Sequence, residues 1–194
     1  MKTGIFLSYI GLGANLLHLS YCHEVAKKFG PVTVITLCSN LDKVLKDDPS
    51  IKEVIYLDRY HKKFFDILNL SNFLKKFNFD AIFIFYPSFR HYLASKIAGI
   101  KNIYHYPLLV KKNLHLVNAA KNFIEKSLKI QNCPTETKIF IDKDKTKKYK
   151  LNNSKKIILG IGSSGPTTRW GYDNFASLIK KLNQNGKYYF YLLC

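Results

Sequence analysis

Short apolar runs alternate along the chain with longer stretches in which apolar residues recur every three or four positions. Residues 4–9 (GIFLSY) form the first run and read as a buried strand. A glycine turn, Ile10-Gly11-Leu12-Gly13, follows it. Leu16, Leu19, Val25, Ala26 and Phe29 then recur with a helical period over 16–29. Pro31 precedes a second run, 32–37, continuous and β-branched as strands buried on both faces are. The pattern predicts a short helix over 41–45, a third strand over 53–57 and a helix over 64–77. A fourth strand over 81–85 is the most hydrophobic; a helix over 92–98 stops at Gly99, a fifth short strand covers 102–105 and a helix covers 116–128. Strands alternating with helices at this spacing predict an α/β fold with a parallel sheet covered on both faces. The right-handed crossover rule makes that a Rossmann-like sandwich.

Residues 142–156, DKDKTKKYKLNNSKK, hold seven lysines and almost nothing apolar, which reads as a solvated linker. The pattern then restarts with a strand over 156–161, a glycine-serine turn over 162–165, a helix over 174–182 and a strand over 188–193. One βαβ unit leaves a sheet face bare and an apolar strand edge open. Either this unit completes the first domain or it begins a second; the expected organisation is the latter, a first domain over 1–141, a lysine-rich linker over 142–155, and the beginning of a second, incomplete domain over 156–194.

Composition narrows the class. The chain has 194 residues, 47% apolar and 14% aromatic, which is enough for a core and excludes general disorder. Its longest apolar runs are too short to span a bilayer, and its first residues do not have the pattern of a secretory signal. Cys22, Cys38, Cys133 and Cys194 form no CxxC pair, so a reduced, cytoplasmic protein is expected. The net charge is +18, from 31 Lys+Arg against 13 Asp+Glu, which attracts phosphates on nucleotides, nucleic acid or lipid headgroups. The only arginines are Arg59, Arg90 and Arg169. Bidentate phosphate clamps and base readout favour arginine, so the charge reads as diffuse, and nucleic acid is not the expected partner.

Three segments carry candidate chemistry. Gly11-Leu12-Gly13-Ala14-Asn15 follows the first strand, where a parallel sheet binds its ligands and glycines let a ligand approach the backbone. It is neither a full dinucleotide fingerprint nor a P-loop, and an unliganded tight turn explains the same residues. His18 lies in the first turns of the next helix, as a catalytic or substrate-contacting candidate. Arg90, in Tyr86-Pro87-Ser88-Phe89-Arg90 after the fourth strand, is a candidate for an anionic group; an ordinary helix-start arginine is the alternative. His23, His61, His91, His105 and His115 have no metal-ligand spacing, and no metal site is expected.

The third segment is the most specific: Gly160-Ile161-Gly162-Ser163-Ser164-Gly165-Pro166-Thr167-Thr168-Arg169-Trp170, followed by Phe175. It resembles the start of the C-terminal domain of the ADP-heptose:lipopolysaccharide heptosyltransferases, glycosyltransferase family 9. Gly11-Leu12-Gly13 with Leu16-Leu17 resembles the family's first loop, Tyr86-Pro87-Ser88 with Ala98-Gly99-Ile100 its midsection, and His115-Leu116-Val117 the segment before its interdomain region. The resemblance implies a GT-B fold of two Rossmann-like domains. It implies transfer of a heptose or related sugar, with inversion, from a nucleotide-sugar, ADP-linked in that family, to an anionic glycolipid of the lipopolysaccharide inner core. It implies no metal or other cofactor, a monomer when complete, and a cytoplasmic location against the inner membrane face. On it, Gly11, Gly13, Asn15 and Arg90 face the acceptor, and Ser163, Ser164, Thr168 and Arg169 face the donor.

Two positions depart from the family pattern. Its first loop reads Gly-x-Gly-Asp, with the aspartate as candidate base; here the position is Ala14, and His18 is the substitute candidate. A lysine two residues before the tryptophan is replaced by Thr168. These departures keep open a glycolipid-binding protein that transfers little or no sugar. The charge keeps open another nucleotide- or nucleic-acid-binding Rossmann protein.

Overall fold

The structure, a computed structural model, describes residues 1–58, 66–107, 114–142, 155–162 and 169–193. The chain divides into two units, Met1–Ile141 and Asp142–Cys194.

In the first unit five parallel strands form one sheet. They are β1 (Thr3–Leu7), β2 (Val32–Thr36), β3 (Ile51–Tyr56), β4 (Ala81–Ile84) and β5 (Asn102–His105), in the order β3-β2-β1-β4-β5. The helices are α1 (Leu12–Leu16), α2 (Leu19–Phe29), α3 (Leu41–Leu45), α4 (Asp66–Lys75), α5 (Phe89–Ile97) and α6 (Leu116–Leu128). β1 is central and every one of its residues is buried. Its register pairs Ile5 with Val34 and Phe83, and Phe6 with Ile35 and Ile84. Side chains alternate across a strand, so these rows enter different cores. Ile5, Val34 and Phe83 pack with Leu19, Val25, Phe123 and Ile124 from α2 and α6. Phe6, Ile35 and Ile84 pack with Ile67, Leu70, Leu74 and Ala94 from α4 and α5. Each such side chain, fully buried, contributes about 1.5–3 kcal/mol.

Local chemistry sets the element ends. α5 closes in a Schellman turn: Gly99 N–H donates to Lys96 O (3.0 Å) and Ile100 N–H to Ser95 O (3.2 Å), with Gly99 at φ +83°. Gly4 makes room for the Phe79 ring: a Cβ there would stand 3.1 Å from it, and the ring would have to shift by a few tenths of an ångström. The periodicity predicts one helix over 16–29, whereas the structure winds the glycine turn into α1 and breaks the path at Leu17 and His18. The break follows from the tight His18 N–H bond to Asn15 O (3.0 Å), three residues back. α5 starts at Phe89 rather than 92 because Ser88 caps it, its Oγ accepting from His91 N–H (3.4 Å).

In the second unit β6 (Lys155–Gly160) and β7 (Tyr188–Leu193) pair in parallel, joined through α7 (Tyr172–Gln184). Gly171 precedes α7 at φ +90°, a conformation that only glycine adopts freely. Among the described residues of this unit Leu159 is the buried apolar side chain, and α7 buries none. The chemistry of 142–155 lies outside the described residues apart from Asp142 and Lys155.

Candidate functional site at the carboxyl edge of the first sheet

From β1 the chain crosses to β2 on one side, and from β3 it returns to β4 on the other. The carboxyl ends of β1 and β4 therefore flank the point where the winding reverses, the position at which open α/β sheets bind ligands. The loop after β1 brings Gly11, Gly13, Ala14 and Asn15 to this point, and the loop after β4 brings Tyr86, Ser88 and Arg90. The loops touch: Tyr9 Oη donates to Phe85 O (3.0 Å), and the Tyr9 and Tyr86 rings meet edge-on at 6.3 Å. Burial, with Tyr86 adding to it, pushes the Tyr9 phenol up to about 12, so it remains a donor at neutral pH.

Gly11 and Gly13 are exposed, neither has positive φ, and a Cβ at either would meet nothing within 4 Å. Their role is thus not conformational; they leave the backbone bare at the edge. α1 has five residues and gains little from summed peptide dipoles. Asn15 is 1% exposed. Its Nδ2 donates to Tyr9 O (2.9 Å) and Gly11 O (2.8 Å), and its Oδ1 accepts from Thr36 Oγ1 (2.8 Å) at the end of β2. Thr36 Oγ1 in turn accepts from Cys38 N–H (3.0 Å). The side chain of Asn15 thus holds the loop against β2.

His18 lies beneath the loop at 0% exposure. Its ring stacks on Tyr9 at 4.7 Å and meets Phe85 edge-on at 5.3 Å. Nδ1 lies 2.6 Å from Ala14 O. A carbonyl only accepts, so Nδ1 carries the proton and Nε2 holds the lone pair, buried and without a hydrogen-bond partner. Burial lowers His18 from 6.5 to about 4, against a smaller opposing effect of the Ala14 carbonyl. The imidazole is neutral at pH 7 and ties α1 to the start of α2.

Arg90 stands half-buried in the first turn of α5, a turn that contains no acidic residue. A cation there opposes the helix dipole, and an anion at the same place would be favoured by both. His91 behind it is buried, lies against Phe6 at 4.4 Å, and is lowered to about 4 by burial first and then by Arg90 and His105. His105 Nε2 donates to Ser88 O (3.2 Å), and burial lowers its pKa too. In the sequence His91 and His105 show no metal-ligand spacing. Their link to Ser88 and Arg90 joins β5 to α5, a pairing that no local spacing signals. The same holds for Tyr9 and Thr36.

Arg169 and Trp170 are exposed just before α7, and Trp170 packs edge-on against Phe175 at 4.9 Å. Ser163, Ser164 and Thr168 lie outside the described residues. Among the described residues no group of three His, Cys, Asp or Glu side chains could hold a metal ion.

No protein-family profile matches the sequence, and no curated protein is similar to it in sequence. Solved structures match its fold. A glycosyl transferase family 9 structure from Veillonella parvula has a TM-score of 0.71 at 18% identity, over 97% of this chain and 61% of that one. Escherichia coli ADP-heptose lipopolysaccharide heptosyltransferase II has a TM-score of 0.67 at 18% identity, over 99% and 64%. E. coli heptosyltransferase WaaC, solved with ADP, has a TM-score of 0.63 at 13% identity, over 98% and 67%. The fold is the α/β fold of these glycosyltransferase structures. The chain spans about three fifths of the length of the first two.

Proposed function

We propose that this chain is the larger part of a nucleotide-sugar-dependent glycosyltransferase. The observation that carries the reading is the likeness of fold to glycosyltransferase structures along almost the whole chain. In this reading residues 1–141 hold the acceptor and residues 156–194 open the domain for the donor. The donor is an ADP-linked heptose or related sugar. The acceptor is an anionic inner-core glycolipid at the cytoplasmic face of the membrane. The acceptor hydroxyl oxygen attacks the anomeric carbon, the bond from that carbon to the diphosphate breaks with inversion, and ADP leaves with the bonding pair. The hydroxyl proton must pass to a base. Protein residues supply all of this without a metal or other cofactor. Arg90 at the head of α5 takes an anionic group of the acceptor, Gly11 and Gly13 let it reach the backbone, and Asn15 and His18 hold that loop in place. Ser163, Ser164, Thr168 and Arg169 face the donor diphosphate.

Ala14 favours a second reading, in which the protein binds glycolipid but transfers sugar slowly or not at all. A methyl group accepts no proton, and His18, the other candidate, is sealed under Tyr9. Positioned acid–base catalysis contributes roughly 10² to 10⁴ in rate. The full-length protein and its A14D variant, assayed with ADP-heptose and a Kdo-bearing acceptor, separate the readings. The first expects measurable turnover by the unaltered protein, rising about a hundredfold or more in A14D. Glycolipid binding with no turnover by either protein selects the second, and failure to bind ADP, ADP-heptose or the acceptor overturns both.

A further inference from the structure

In a parallel sheet every strand starts at the same edge. The first residues of β1, β2 and β3 therefore lie together, at the edge opposite Gly11 and Arg90. A cleft of about 300 Å³ opens there. The turn from α4 to β4 lines it with Lys76, Phe77 and Phe79. The Phe77 and Phe79 rings stack at 5.4 Å, and Phe79 takes the space that Gly4 leaves free. Both rings pack with the core under this face of the sheet, so they hold the turn in place. A bulge shapes the β3 part of the cleft. Val32 pairs with Ile51 and Thr33 with Glu53, which leaves Lys52 as the extra residue of the strand. The bulge sets Glu53 level with Thr33, whose buried hydroxyl donates to Glu53 Oε1 (3.0 Å). That bond fixes the one carboxylate lining the cleft among the described residues.

Charge selects the ligand. Lys2, Lys52 and Lys76 reach the cleft from three separate parts of the chain. All three are exposed, and none forms an ion pair among the described residues. Lys76 follows the last turn of α4, where a cation also suits the helix dipole; Lys2 and Lys52 have no such role. The acidic groups near them are Glu53 and, beside the cleft, Asp80, whose Oδ2 accepts from the Lys2 backbone N–H (2.8 Å). Cations of one sign around a concave site focus their field on what enters it. Lysine ammonium groups bind phosphate as point charges. Glu53 would repel a bare phosphate, but its second oxygen can accept from a ligand hydroxyl. We propose that this cleft binds a small phosphate ester bearing hydroxyl groups, with Lys2, Lys52 and Lys76 supplying the counter-charge and Glu53 accepting from a hydroxyl. The proposal is independent of the glycosyltransferase reading, whose site lies at the other edge of the sheet.

The test is calorimetric titration of the whole chain with glucose 6-phosphate, AMP, inorganic phosphate and glucose. A phosphate ester is expected to bind at least about tenfold more tightly than inorganic phosphate, because it adds a hydrogen bond to a charged group. Glucose, which lacks the anion, should not bind. K52A/K76A should weaken ester binding at least about tenfold. K180A/K181A removes the same charge from α7 and should leave it unchanged. All four lysines are exposed, so thermal melting should match the unaltered protein; K52A alone serves if the pair does not fold. E53Q keeps an acceptor for Thr33 but removes a negative charge, so it should bind inorganic phosphate more tightly than the unaltered protein does. AMP bound above glucose 6-phosphate assigns the cleft to nucleotides, and the reverse order assigns it to sugar phosphates. Ester binding untouched by K52A/K76A places the anion elsewhere and overturns the proposal. Equal losses in K52A/K76A and K180A/K181A reduce the effect to net charge and overturn it too, as does the absence of any phosphate binding.

Discussion

His91 and His18 illustrate how a single buried side chain couples this fold to pH. Each is lowered from 6.5 to about 4, chiefly by burial. The native state thus resists a proton that the unfolded chain accepts at ordinary pH. Their contribution is complete above about pH 6.5, is lost as pH falls from there towards 4, and levels off below. Two such groups make the loss on the order of a few kcal/mol. Thermal melting should therefore fall steeply between about pH 6.5 and about pH 4. Phe at position 91 cannot titrate, and it leaves no buried nitrogen like His91 Nδ1 without a partner. H91F should melt higher than the unaltered protein at about pH 5 and show a shallower pH dependence. An unchanged slope would mean that His91 is accessible to protons in the native state.

Among the elements, the decisive junction is that between the β1 loop and β2. Asn15 spans it with three hydrogen bonds, two to loop carbonyls and one from Thr36. Truncation to Ala removes that partner from Tyr9 O, Gly11 O and the Thr36 hydroxyl, the last of them buried. N15A should cost about 2–4 kcal/mol in urea unfolding, T36V about 1–2, and the double variant less than their sum because they share one bond. Additive effects would show that the Asn15–Thr36 bond contributes nothing. The break between α1 and α2 belongs to this scale too. Helical period runs through Leu16 and Leu19, so a pattern of apolar residues reads as one helix. The bond that ends α1, His18 N–H to Asn15 O, leaves no mark in that pattern, and the Asn15 side chain is held by Thr36, 21 residues away.

On the scale of the whole molecule, the two units differ in how much they bury. The first has apolar cores on both faces of a five-stranded sheet. Among its described residues the second has two strands and one helix, with Ile158, Tyr172, Tyr189 and Leu192 exposed. Two strands and a helix bury too little to offset the ordering of the backbone. Expressed separately, residues 1–141 should melt in one cooperative transition by circular dichroism, and residues 142–194 should show no cooperative melt. A cooperative transition in the smaller piece would mean that its exposed face is less costly than burial arguments allow.

The sequence by itself determined the fold class. Strand runs around Ile5, Val34 and Phe83, alternating with helical periods, require a parallel sheet covered on both faces, because each apolar row must leave water. It also placed the glycine turn and Tyr86–Arg90 at the carboxyl edge of the sheet, since both follow strands directly. What only the tertiary structure decided was the role of each side chain there. Asn15 and His18 stand beside Ala14 in sequence and look equally available, yet packing turns both inward, one bonded to β2 and one sealed beneath Tyr9. Arg90 stays at the edge because the Ser88 cap starts α5 there and directs its first turn to the same point. Burial and long-range hydrogen bonds join residues far apart in the chain, and a local pattern of hydrophobicity contains no record of them.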